Sequence, residues 1–248
     1  MSSECLNCAA PVQQNYCANC GQKSSTHRYS IAHFISHDFV HGVWHVDKGI
    51  LFTLKELFTR PGHSVREYIE GKRINYFSFV TMILMILTLS GLLAPFSHVT
   101  MADLLPNQSR QLATDLEKFM TKYPKLVLIV AIPVYALFSQ LWFRKAKLNF
   151  SEHLVLNAYR IIPELVIGLI LTLITIFYTN TKILTPVYFI TQALFGFIYS
   201  IWVYNQFFSK SRYSKKSLLF RSIMIPVSYM LLSFSIGMLL GFIKLIHK

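Results

Sequence analysis

The sequence predicts an all-α polytopic membrane protein, with about five transmembrane helices preceded by a short four-cysteine zinc ribbon and amphipathic interfacial helices. Three observations predict it. Five apolar runs follow one another from residue 76 onward, each near the roughly 20 residues that span a hydrocarbon core. All four cysteines fall between Cys5 and Cys20 as two Cys-x-x-Cys pairs. The composition is too apolar for a soluble domain, with 53% hydrophobic and 14% charged residues and a mean hydropathy of +0.44. This reading divides the chain into a ribbon (1–24), interfacial helices with a basic junction (27–74) and a five-span membrane domain (76–248).

The ribbon comes first. Cys5-x-x-Cys8 and Cys17-x-x-Cys20-Gly21 are separated by eight residues. Two such knuckles present four thiolates to one tetrahedral ion, and Gly21 suits the tight turn after the second. So short a segment has no core of its own, so a structural Zn²⁺ on Cys5, Cys8, Cys17 and Cys20 would supply its folding energy. A closed four-thiolate site has no open position and is not catalytic. Two disulfides or a redox pair are the rival uses of these cysteines, and both lose in a reducing compartment. Asn15, Tyr16 and Asn19 offer a small surface to a partner. The polar, cysteine-bearing start gives no expectation of a cleavable signal peptide.

A second helix is expected from a Ser30 cap. His33, His37, His41 and His45 recur every four residues and share one drifting stripe, with Ile31, Ile35, Phe39 and Val43 opposite. Such a helix can lie on a membrane surface, apolar side down. The four histidines are a candidate second metal or pH site. A plain solvated face is the alternative, and Gly42 weakens the helix there.

The junction, residues 53–79, is the densest run of special residues. Residues 53–59 have helical spacing. Arg60-Pro61-Gly62 is read as a stop and a turn, and Ser64 with Glu67 as a capping box for the next helix. Val65, Tyr68 and Ile69 face a bilayer or a core. Gly71-Lys72-Arg73 breaks the chain again, and Tyr76-Phe77 mark the interface. Arg60, Arg66, Lys72 and Arg73 are candidates to hold lipid phosphates or a partner's acidic group. The alternative is a charged, turn-rich approach to the first span.

The pattern Pro61-Gly62-x-x-x-Arg66-Glu67-Tyr68-Ile69-x-Gly71-Lys72-Arg73-x-x-Tyr76-Phe77, preceded by Arg60, resembles the signature of an uncharacterised bacterial membrane family, domain of unknown function 3667. Its members are similar in carrying a four-cysteine ribbon in front, this junction, and several spans behind. Ser78-Phe79 stands where the family pattern often has a proline, so the start of the first span is expected to differ. The resemblance implies an architecture in a bacterial inner membrane and no activity.

The apolar runs cover 76–96, 125–143, 154–178, 184–208 and 218–246. Lys72 and Arg73, the run Arg144-Lys145-Ala146-Lys147 and the stretch from Lys210 to Lys216 are basic, and Lys182 stands alone in its loop. The positive-inside rule then puts the N-terminus in the cytosol and the C-terminus outside, as five spans require. In the loop before the second run, Leu112, Leu116, Phe119, Met120 and Tyr123 have the spacing of a short amphipathic helix. Arg160 and Glu164, four apart within the third run with Pro163 between them, form a candidate intramembrane polar site. An interfacial ion pair with Arg160 snorkelling is the plainer reading. Asn149, Glu152, His153 and Asn157 are read as polar and interfacial. Pro133, Pro163 and Pro226 fall within the second, third and fifth spans. Ser233, Gly237 and Gly241, and more weakly Gly196 and Ser200, are packing faces within the chain or toward a second copy.

These observations bound the function. The net charge of +13 sits beside apolar runs, so anionic lipid and topology account for it and no nucleic acid is expected. No catalytic constellation stands out. The chain has no adjacent glutamates of the kind intramembrane metalloproteases use, and its histidine stripe is confined to one segment. The leading expectation is a zinc-ribbon scaffold or regulator that brings a cytosolic protein partner to the membrane, with lipids and a second copy as further partners. The alternative is a small transporter or channel for an ion, metal or lipid that uses Arg160 and Glu164.

Overall fold

A helix that is apolar all round is stable only where water does not reach it. Five helices of that kind appear in the computed structural model of the chain, each long and apolar enough to cross a membrane. It describes residues 4–26, 49–99, 118–119, 122–178 and 180–246. In order these form α1 (Gly49–Thr59), α2 (Pro61–Glu70), α3 (Phe79–Leu93), α4 (Pro124–Trp142), α5 (Phe150–Phe177), α6 (Thr181–Phe207) and α7 (Lys215–Ile246). Short 3₁₀ turns carry α3 to Phe96 and α6 to Lys210. Among the described residues no strand forms, and the ribbon has only two isolated bridges, Glu4 to Pro11 and Tyr16 to Lys23. The chain is thus all-helical with five candidate spans, α3 to α7, behind a four-cysteine cluster, as its hydropathy and cysteine spacing predict.

The centre of the bundle is α5, which packs against α3, α4 and α6, while α7 lies on α4 and α6. It begins at Phe150, earlier than its apolar run, because Asn149 and Glu152 form a capping box: the Glu152 amide donates to Asn149 Oδ1 and the Asn149 amide to Glu152 Oε2, both at 2.9 Å. Its 28 residues run about 42 Å at 1.5 Å each. That exceeds a hydrocarbon core of about 30 Å, so the first turns stand at the interface. Prolines lie within α4, α5 and α7 as expected, and Pro186 adds one near the start of α6.

The helices α1 and α2 are not loose surface elements. Leu57, Val65, Tyr68 and Ile69 join the core formed by Phe77, Phe79, Tyr159, Ile162, Val203 and Phe207. Two buried phenols pin α1 and the link that leads from α2 into α3. Tyr199 of α6 donates to the Leu57 carbonyl, and Tyr159 of α5 to the Phe77 carbonyl, both at 2.8 Å.

The break between α1 and α2 is sharper than the sequence suggests. One residue, Arg60 (φ −146°, ψ 55°), separates them. Pro61 already occupies the first helical position, where a missing N–H costs nothing. The expected Ser64 cap is therefore a correction. Ser64 sits a turn inside α2, fully buried, and donates to Glu56 Oε2 and the Arg60 carbonyl, both at 2.8 Å. Gly62 is helical, and its lack of a side chain serves contact rather than turning. A Cβ there would lie 2.3 Å from Phe207 N and 2.4 Å from the Val203 carbonyl of α6, and the Gly62 amide donates to Gln206 Oε1 at 3.1 Å. Backbone cannot yield as a side chain can. Gly62→Ala is expected to lower stability by about 3 kcal/mol, the upper end of overpacking costs, read as a lowered unfolding midpoint of the detergent-solubilised chain.

The histidine helix with His33, His37, His41 and His45 lies outside the described residues, as do Leu112, Leu116 and Met120 of the loop helix. Phe119 and Tyr123 are described, and the Tyr123 amide donates to the Phe119 carbonyl at 2.9 Å, one helical turn.

Candidate functional site

Each cysteine knuckle closes on itself in the same way. In the first, the Cys5 amide donates to the Ala10 carbonyl and the Ala9 amide to the Cys5 carbonyl. In the second, the Cys17 amide donates to the Gln22 carbonyl and the Gly21 amide to the Cys17 carbonyl. Ala9 (φ 58°) and Gly21 (φ 75°) hold equivalent left-handed positions, one strained and one natural. The two turns face each other, with Cys5 and Cys20 sulfurs 3.6 Å apart, Cys8 and Cys17 sulfurs likewise, and all four within 4.8 Å of one another. A tetrahedral thiolate site with bonds of about 2.3 Å places its sulfurs about 3.8 Å apart. The cluster therefore fits one metal ion. Its electrostatics call for a cation. The Ala10 amide, then Asn19, brings Cys8 down to about 6. For Cys20 the Gln22 amide also lowers the pKa, but burial and the Cys5 and Cys8 thiols outweigh it and hold the group at about 11. Four thiolates this close ionise together only around a positive ion.

The knuckles are docked on the junction. The Gln22 side chain, buried, donates through Nε2 to the Gly71 carbonyl at 2.9 Å and accepts through Oε1 from the Arg73 amide at 3.1 Å. Gly71 ends α2 at φ 113°, and a Cβ on it would lie 2.6 Å from Leu6 Cδ1. The Gly-Lys-Arg break is thus both the C-cap of α2 and the seat of the ribbon. Sequence reasoning missed Gln22. A polar residue directly after the Cys-x-x-Cys-Gly turn is its one local signal.

The four junction cations go separate ways. Arg60 is taken up within the chain. Its Nε lies 2.5 Å from Glu56 Oε2, and its two terminal nitrogens grip Glu67 at 3.0 and 3.1 Å. Glu67 and then Glu56 raise the Arg60 pKa. Burial alone would raise Glu67, but the guanidinium overrides it and lowers the carboxyl below its ordinary value. The stabilisation from that depressed carboxyl is present above the unfolded glutamate pKa and is lost as pH falls through the folded one. Arg73 donates from Nε to the Tyr68 carbonyl at 3.1 Å and lies over the Tyr68 ring. Lys72 is exposed. Arg66 lies over the Phe207 ring, 5.2 Å from its centroid, at the edge of a cavity lined by other cations.

Within the spans, Arg160 and Glu164 do pair, and their setting is more enclosed than a snorkelling arginine requires. Arg160 is 1% exposed. Its Nη1 also donates to Ser200 Oγ at 2.6 Å, and its guanidinium lies 4.0 Å from the Tyr135 ring centroid. Gly196 leaves room for the pair, since a Cβ there would sit 3.4 Å from Glu164 Cδ. The weak Gly196/Ser200 face therefore packs within the chain, whereas Gly237 faces open space. His153 and Asn157, read as interfacial, are buried on the same helix. His153 Nδ1 and Ser139 Oγ are 2.8 Å apart, Asn157 Nδ2 donates to Ser139 Oγ at 3.2 Å, and Tyr204 donates to Asn157 Oδ1 at 2.5 Å. His153, Asn157, Arg160 and Glu164 form one polar seam of α5 against α4 and α6.

Residues 47–91 match the model of a family described as a protein of unknown function (DUF3667). The match takes in α1, α2 and most of α3, so the family resemblance carried by the junction holds for that segment. No curated protein and no solved structure matches the chain.

Proposed function

We propose that this chain is a scaffold: a zinc ribbon held on the cytosolic face of a bacterial inner membrane, where it presents a protein-binding surface. The observation that carries this reading is the double clamp of Gln22 on Gly71 and Arg73. It supports a ribbon set rigidly on α2, which itself bears on α6 through Gly62. A tethered but free finger would need no such buried contact. Exposed beside it are Asn15 and Tyr16, the latter 61% accessible, an aromatic of the kind that anchors interfaces. The four-thiolate donor set and its spacing favour zinc, and a closed site favours a structural role.

The test is a photoreactive residue at position 16 in native membranes, with one at exposed position 55 as control. A discrete protein adduct formed at 16, absent at 55 and lost in C17S/C20S, supports the scaffold. Equal adducts at both positions, or none at 16, overturn it. The α5 seam favours a second reading, a small transporter or channel, because Arg160 Nε and Gln192 Oε1 are buried without a hydrogen-bond partner. Ion flux through proteoliposomes that is abolished in Glu164→Gln would move the conclusion there.

A further inference from the structure

Three segments far apart in sequence close around one cavity at the ribbon end of the bundle. One wall is α2, with Arg66 and Glu70. The second is the turn between α4 and α5, with Lys145 and Lys147. The third is the turn after α6, with Lys210 and Arg212. The cavity measures about 560 Å³, inside the range of roughly 300–1,000 Å³ typical of small-molecule sites. Five cations therefore face two carboxylates, Glu70 and Glu152. Even with both carboxylates ionised, the cations outnumber them and the lining is net positive.

Topology accounts for basic loops at this end of the bundle, but not for their convergence with Arg66 of α2 on one cavity, where like charges repel. The floor is apolar and rigid: Phe207 lies under Arg66, and Phe208 stacks flat on Phe143 at 3.7 Å. Arg66 Nε is buried there with no hydrogen-bond partner, and burial, only partly offset by Glu70, holds the Arg66 pKa below its ordinary value. Arg60 shows the contrast, since a guanidinium meant to pair within the chain has its two glutamates beside it. The α4–α5 and α6–α7 turns are the ends of candidate spans, so in a bilayer this cavity stands at headgroup level.

We propose that this cavity binds a phosphate group, with Arg66, Lys145, Lys147, Lys210 and Arg212 as its cationic walls and the Phe207/Phe208 floor carrying the apolar part of the ligand. The proposal is independent of the scaffold reading. It relocates the phosphate-binding role from Arg60, Lys72 and Arg73 to cations that the linear sequence scatters.

The phosphate has two sources, an anionic phospholipid or a soluble phosphate compound, and two probes separate them. The full chain is placed in phosphatidylcholine nanodiscs with and without phosphatidylglycerol, and bound lipid is counted by native mass spectrometry. In parallel, inorganic pyrophosphate is titrated calorimetrically in neutral detergent. The test variant is K210Q/R212Q, both exposed side chains. R66Q probes the buried wall. The control is K55Q/K72Q, which removes the same charge outside the cavity. Loss of two charge-assisted contacts is expected to weaken binding at least ~10-fold in K210Q/R212Q, against less than ~2-fold in the control. Retained phosphatidylglycerol assigns the site to lipid, and saturable pyrophosphate binding without lipid retention assigns it to a soluble ligand. Binding of neither probe, or equal loss in test and control variants, overturns the proposal.

Discussion

If the four cysteines hold a structural metal as proposed, chelation, or the double substitution C17S/C20S, is expected to unfold residues 4–26 while the five spans stay folded. Among those residues only Cys5, Cys17 and Gln22 are buried. Two of the three belong to the four-cysteine cluster, and the third faces the junction rather than a ribbon core. The backbone adds two bridges and four knuckle hydrogen bonds, far too little to offset the ordering of some twenty residues at about 1–2 kcal/mol each. A zinc on the four cysteines would supply about 10–16 kcal/mol at neutral pH, which is what this segment lacks. With the metal gone, Gln22 and Leu6 leave Gly71, and the Gly71 carbonyl and Arg73 amide return to water. The measurement is one bound zinc per chain, with limited proteolysis before and after chelation. Cleavage should appear within 4–26 and nowhere in α3 to α7. A ribbon that stays protected after chelation but opens with reductant would show that cross-knuckle disulfides hold it instead.

What the sequence discloses about this molecule divides by range. The spans were legible because hydropathy is a property of consecutive residues, and the four-thiolate cluster because the Cys-x-x-Cys spacing builds its own turn. The Asn149–Glu152 box was available on the same terms, three residues apart. The junction was legible in its breaks but not in its partners. Ser64 and Glu67 have capping-box spacing, yet Pro61 starts the helix earlier, and both side chains then serve α1 and Arg60 instead. Gly62 looks like a turn residue until α6, more than 140 positions on, is laid against it. The cationic cavity needed three such long-range approaches at once, so no local pattern announced it.

Arg160→Ala is expected to destabilise the bundle by about 3–5 kcal/mol, the cost of leaving a buried carboxylate without its partner. Among the described residues Glu164 would keep only Ser200 Oγ, at 3.4 Å, and the Tyr135 ring, which stacks on Tyr229 of α7 at 4.1 Å, would lose the cation it faces. The double variant R160M/E164L tests what the pair is for. Desolvating two charges offsets most of what their attraction returns, so apolar groups of similar volume should restore stability to within about 1–2 kcal/mol of the natural chain. Unfolding midpoints in detergent for both singles and the double complete the cycle. A double variant as weak as R160A would mean that the pair holds α5 to α6 through Ser200 and Gly196 in a way packing cannot replace, which makes the seam a structural rivet. A stable double variant would mean that the fold does not need these charges where they are costliest to keep. The seam would then be retained for something other than stability, and the flux measurement on Glu164→Gln becomes the decisive one.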